Sequence, residues 1–312
     1  MNEQRINEVV RDVMDDFLLC ESINEMIDES LGIATNVENA TYSFLDKVKM
    51  QLQTATMVHY DNWGLRFKEL YFDQKLSNTI IHISLYVLYF KSVQDYKSKE
   101  EVIDKFFKNS SDVKSNQITM HVIAINGLLD FKQLASSFQH EIKHHYDEIM
   151  GCQSPSNNIR NYSIAANAIR NGCNDLEYAI ASIVYFANKY ETSAFANGLY
   201  GLLTQIDTKH KIDKEILDIV KATDAYQYCM DMDKSIKIIK DANGSNELNK
   251  LLKKYNITIE EATKLANYGK KNGFRQIGRA ITLYRNKHLN DHIFYKPKDI
   301  SAYYYVSPFR NK

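Results

Sequence analysis

Five residues, His140-Glu141-Ile142-Lys143-His144, place two imidazoles and a carboxylate at the spacing that metal-assisted hydrolysis uses. On a helix, side chains four residues apart share a face with Cβ atoms about 5–6 Å apart, so both rings can reach one ion. Glu141 would then stand beside the ion and not on it, placed to take a proton from water that a zinc ion activates. The neutral imidazole and carboxylate set suits zinc, which makes zinc the expected cofactor. A catalytic zinc also needs a third protein ligand and an open position for water.

The best third ligand is Glu191, 47 residues beyond His144. Its neighbours at helical spacing are Ala187, Ala194 and Gly198, small side chains that would let its helix pack closely against a neighbour. A carboxylate in such a strip is costly to bury unless it is paired or ligating; the other reading is an exposed acid beside a tight helix contact. Asp147 and Glu148 share the helix of the histidines, and Glu177 lacks the small strip, so all three are weaker candidates. His145 falls on an apolar stripe and reads as core. His59, His82, His121 and His210 have no partner at ligand spacing.

The elements that must position these groups follow from periodicity. Leu134, Phe138, Ile142, His145 and Ile149 form a helical stripe, with His140, Glu141 and His144 on the adjoining face and Asp130 as the N-cap. A strand over Ile118 to Ile125 leads into it through Asn126-Gly127. Alternation over Trp63 to Lys68 and Ile81 to Tyr89 predicts two more strands, with a short helix near Glu100 to Lys108. An amphipathic helix built on Ile6, Val9, Val10, Val13, Phe17 and Leu18 opens the chain, and another follows Ala40. Residues 151 to 174 read as a connection holding a short helix. A long helix is expected from Asp175 to Gln205, then short helices interrupted near Asn243-Gly244 and Asn272-Gly273, and a tyrosine-rich extended tail over Ile300 to Phe309.

With 312 residues, 3 prolines and 11 glycines, the chain favours long helices over a strand-and-turn architecture. Formal net charge is zero, but residues 1 to 31 hold nine acids against Arg5 and Arg11, whereas residues 250 to 287 hold ten basic residues against Glu260 and Glu261. Cys20, Cys152, Cys173 and Cys229 form no CxxC pair, which speaks against a thiolate zinc site. The most apolar stretch, Thr79 to Phe90, is too short to cross a membrane, and no signal peptide is visible, so a cytoplasmic protein without a membrane partner is expected.

His140-Glu141-x-x-His144 followed by Glu191-x-x-Ala194 resembles the zincin metallopeptidases of the gluzincin type, in which the two histidines and a glutamate from a later helix bind zinc. With Phe195-Ala196 and Leu202-Leu203, the second motif is similar to that of Ste24/HtpX-type and ImmA/IrrE-type members. The likeness spans residues 117 to 205. It implies a zinc metalloendopeptidase acting on a protein or peptide substrate, with Glu141 as general base and the strand Ile118 to Ile125 holding the peptide. Two positions depart from the pattern: Lys143 carries a charge where zincins have none, although it could face solvent, and Phe195 stands where the ExxAD form has an orienting acid. Asn197 and Asp147 are the candidates to replace that acid. In the C-terminal part His292, preceded by Asp291, is the expected donor to the carbonyl oxygen, with His288 and the tyrosines near Tyr303 as alternatives.

The expected class is therefore α+β and mainly helical: acidic N-terminal helices over 1–60, a zincin-like core over 61–206 with a small mixed sheet packed on the HExxH helix, and a basic helical lobe with an extended tail over 207–312. Two other functions compete. Tyr255, Tyr268, Phe274 and Tyr284 interleave with the basic residues of 250 to 287, as in a nucleic-acid-binding surface. The chain could also be a structural or interaction protein that keeps the motif without hydrolysis, although retention of Glu141 favours catalysis.

Overall fold

The computed structural model describes residues 23–54, 59–60, 65–151, 159–206 and 213–285. The helix expected over Ile6 to Leu18, Trp63, His288, His292 and the tyrosine-rich tail lie outside the described residues. The described chain is mainly helical with one small mixed sheet. It divides into two units: residues 30–153 with 201–206, which carry the sheet, and residues 1–29, 154–200 and 207–312, which are helical where described.

In the first unit most of a long helix, α1 (Ile23–Thr54), is followed by β1 (His59–Tyr60), β2 (Arg66–Leu76) and β3 (Thr79–Phe90). Two short helices, α2 (Val93–Lys97) and α3 (Glu100–Phe106), then lead to β4 (Ser110–Asp112), β5 (Gln117–Ile125), β6 (Leu128–Leu129) and the HExxH helix α4 (Phe131–Ile149). The strand order is β1-β2-β3-β5-β4, with β6 on the end of β5; β3 and β5 are parallel and every other pair is antiparallel. Strand β2 runs past the expected Lys68 to Leu76, because Leu70, Phe72, Gln74 and Leu76 keep turning inward in alternation. Ser77 at φ 53° then turns the chain into β3, pairing Leu76 with Thr79.

One sheet face is covered by α1 and α4. Val37, Ala40, Phe44, Leu45 and Val48 of α1 meet Leu70, Phe72, Ile83, Leu85, Met120 and Val122 of the strands, and Leu134, Phe138, Ile142 and Tyr146 of α4. Phe44 stacks on Phe138 with centroids 4.2 Å apart, tying the two helices together. The opposite face holds a smaller cluster of Leu65, Leu88, Phe90 and Ile103. Strand β5 is not an open edge along its length. β4 pairs with its first residues and β6 with its last, while the Asn109 side chain accepts from the His121 amide and the Asp130 amide donates to the Ile123 carbonyl.

The helical unit contains α5 (Ile159–Asn171), α6 (Asp175–Phe186), most of α7 (Lys189–Thr204), α8 (Asp213–Lys221), α9 (Asp224–Asp241), α10 (Asn246–Tyr255) and α11 (Ile259–Tyr284). The single helix expected from Asp175 to Gln205 is two helices, broken at Ala187 and Asn188; the Asn188 side chain accepts from the Tyr190 amide and so begins α7. The break expected at Asn272-Gly273 does not occur, since α11 is continuous. A Cβ on Gly273 would lie 2.4 Å from Cys229 Sγ and 2.8 Å from Phe186, so this glycine serves close packing of α11 on α9 and α6. The turn at Asn243-Gly244 is present, with Gly244 at φ +87°. Cys173 and Cys229 are free thiols. No described helix is long and apolar enough to cross a membrane.

Candidate metal centre

The HExxH helix begins where the sequence places it. Asn126 and Gly127, at φ 52° and 76°, reverse the chain after β5, and the Asp130 carboxylate accepts from the amides of Lys132 and Gln133 at 3.1 and 3.0 Å. Leu134, Phe138 and Ile142 are fully buried against the sheet, which fixes the rotation of α4 and turns its neighbouring face to His140 and His144. Tyr146, not the half-exposed Ile149, completes the stripe.

One ligand atom each from His140, Glu141 and His144 lies within 4.8 Å of the others, a group positioned to hold a metal ion. The two Nε2 atoms face each other at 3.4 Å, with ring centroids 5.1 Å apart and ring planes at 79°. That separation can be compared with what a metal requires. Two nitrogens bound at about 2.0–2.1 Å in a tetrahedron stand about 3.3–3.4 Å apart, so the pair already spans one edge of a zinc tetrahedron. Desolvation, followed by the charges of Lys143 and His145, pushes the His144 pKa down to about 4. The ring is therefore neutral at neutral pH and its lone pair is available to a metal. Glu141 is buried beside the pair.

Lys143 does not face solvent. It is buried and donates to the Asp147 carboxylate one turn on, with 7% and 8% of the two side chains exposed. A charge inside the HExxH helix is thus compensated by a partner on the same helix. Desolvation raises the Asp147 pKa, and the Lys143 ammonium opposes that shift. His145 is buried as a core residue; its pKa is lowered by desolvation, with the Gln117 backbone and the Asp112 carboxylate acting the other way.

Glu191 belongs to the helical unit and is 1% exposed. It occupies the first turn of α7, so Asn188-Lys189-Tyr190-Glu191 was the readable helix-start signal. Its Oε1 accepts from the Tyr162 hydroxyl, and the Tyr162 ring stacks on Tyr185 with centroids 5.4 Å apart and planes at 11°. Next to it, Asn272 of α11 donates to Thr192 at 2.6 Å, pinning the same turn. Asn197 and Asp147, the expected orienting groups, are engaged elsewhere: Asn197 donates to the Ser193 carbonyl and Asp147 accepts from Lys143. Tyr162 was missed because the short helix expected within residues 151 to 174, observed as α5, offers no motif that singles out one tyrosine. The His292 assignment lies outside the described residues.

The basic segment 250 to 287 folds as α10 and α11. Tyr255, Phe274 and Tyr284 are buried, and only Tyr268 of the four aromatics is exposed. Lys254, Lys264 and Lys270 pair with Glu177, Glu260 and Asp233. The interleaved aromatics are thus mainly core residues of two packed helices.

No protein-family model matches this chain, and no curated protein or solved structure matches it significantly.

Proposed function

We propose that the chain is a zinc-dependent metalloendopeptidase with a zincin-like core, in which His140 and His144 hold the ion and Glu191 is the third ligand. The observation that carries this reading is the 3.4 Å Nε2 to Nε2 separation, with the Glu141 carboxylate in the same group. Neutral imidazoles and carboxylates are the donor set that catalytic zinc takes. When bound, zinc supplies a Lewis acid that polarises a peptide carbonyl and lowers the pKa of water toward about 7.

The chain's own groups do the rest. Glu141 accepts the proton of the attacking water and delivers it to the departing amine, which lets one carboxylate serve both halves of the hydrolysis. Its burial beside the histidines keeps it within reach of water and amine alike. The α4 core stripe and the Asp130 cap hold the helix face on which these groups stand, so the preorganisation of the site derives from the sheet.

The reading is tested by incubating the zinc-loaded protein with a mixed peptide library and following new termini by mass spectrometry. Cleavage by the wild type that falls by at least about 100-fold in Glu141→Gln, at equal zinc content, is the expected result. Equal cleavage by both proteins would remove Glu141 from the chemistry.

A further inference from the structure

We infer that Tyr162 is the positioning residue of the third ligand: its hydroxyl, donated to Glu191 Oε1, holds that carboxylate in one orientation. The inference rests on the proposed ligand role of Glu191. It follows from a position left open by the sequence, since Phe195 stands where the related motif carries an orienting acid and both expected substitutes bond elsewhere. A ligating carboxylate that nothing holds must give up side-chain freedom on binding, and its affinity suffers accordingly.

The local structure is built to restrain this one side chain. Glu191 is 1% exposed and sits on the first turn of α7, where Asn188 starts the helix and Asn272 ties down the adjacent Thr192. The Tyr162 donor is itself fixed by its stack on Tyr185, two residues before the α6 to α7 break. One carboxylate oxygen therefore receives a hydroxyl from a stacked ring, which restrains the carboxylate. A tyrosine contributes this donor without adding a formal charge beside the ligand.

The test is zinc affinity of the full-length protein by competition with a fluorescent chelator, together with the visible spectrum of the cobalt-substituted form. Tyr162→Phe keeps the ring and its stack and removes only the donor. Its zinc dissociation constant is expected to rise about 10- to 100-fold, with altered cobalt bands, while the metal-free variant keeps the wild-type circular dichroism spectrum. Tyr162→His, which can still donate, should recover part of the affinity, and Tyr268→Phe on the exposed face of α11 should match the wild type. Loss of affinity in Glu191→Ala with wild-type affinity in Tyr162→Phe would overturn the inference and leave the ligand assignment standing. Wild-type affinity in Glu191→Ala would remove that assignment, and the inference with it.

Discussion

Splitting the buried Lys143–Asp147 pair gives a perturbation whose size can be worked out from the structure. Because only 7% and 8% of the two side chains are exposed, solvent cannot take over the role of either partner. In Asp147→Ala the Lys143 amine is left buried without its carboxylate partner. The expected destabilisation is therefore about 3–5 kcal/mol.

In Lys143→Met, Asp147 can escape by taking up a proton, which costs about 4.2 kcal/mol from an ordinary pKa near 3.9 and less from a value that burial has already raised. The expected loss is about 2–4 kcal/mol. The double variant Lys143→Met/Asp147→Leu should recover to within about 1–2 kcal/mol of wild type, since an apolar pair of similar size carries no desolvation cost. The Lys143→Met variant must also respond to pH. In Lys143→Met the folded chain binds the Asp147 proton more tightly, so stability rises as pH falls through the raised folded pKa toward about 4. Urea denaturation of the metal-free proteins at pH 5, 7 and 9, followed by circular dichroism, reads both effects. Single-variant losses below about 1 kcal/mol, or a stability of Lys143→Met that does not rise toward acid, would refute the account of a buried, mutually dependent pair.

Two further outcomes are expected. A Cβ at Gly201 would lie 2.5 Å from Gln139 Oε1 and 2.9 Å from the Ala135 carbonyl, so Gly201→Ala should cost about 1–3 kcal/mol and lower the melting temperature; an unchanged melt would mean that α4 and the end of α7 separate freely there. His144 is held near pKa 4 in the folded chain against about 6.5 unfolded, so its contribution is complete above pH 6.5 and is lost as pH falls toward 4, by up to about 3 kcal/mol in the metal-free protein. His144→Gln should flatten that part of the stability curve, and coincident curves for the two proteins would contradict it.

The HExxH helix was legible because two independent patterns agreed on it: the Leu134, Phe138, Ile142 stripe set its buried face, and Asp130 set its first residue. Strand β5 was legible for the same reason, its apolar alternation ending at an Asn-Gly turn. What could not be read were features decided by tertiary packing. Asn272-Gly273 has the composition of a turn, yet Gly273 is there because Cys229 and Phe186 leave no room for a side chain. The α6 to α7 break falls at Ala187-Asn188 with no glycine or proline to announce it, and Asn188 at the cap is what marks it. Lys143 looked like a solvent-facing departure because its partner, Asp147, is recognisable only once both are known to be buried. Tyr162 had no periodic signal of its own; it matters through one hydroxyl that meets Glu191 across 29 residues of sequence.

The most direct test of a zinc centre is metal content by plasma emission spectrometry on purified wild type and on His140→Ala, His144→Ala, Glu191→Ala and Glu141→Gln. The account predicts about one zinc per chain in wild type and in Glu141→Gln, with loss in the other three variants. A wild type that takes up no zinc after reconstitution, or histidine variants that keep it, would contradict the claim that His140 and His144 form a metal site.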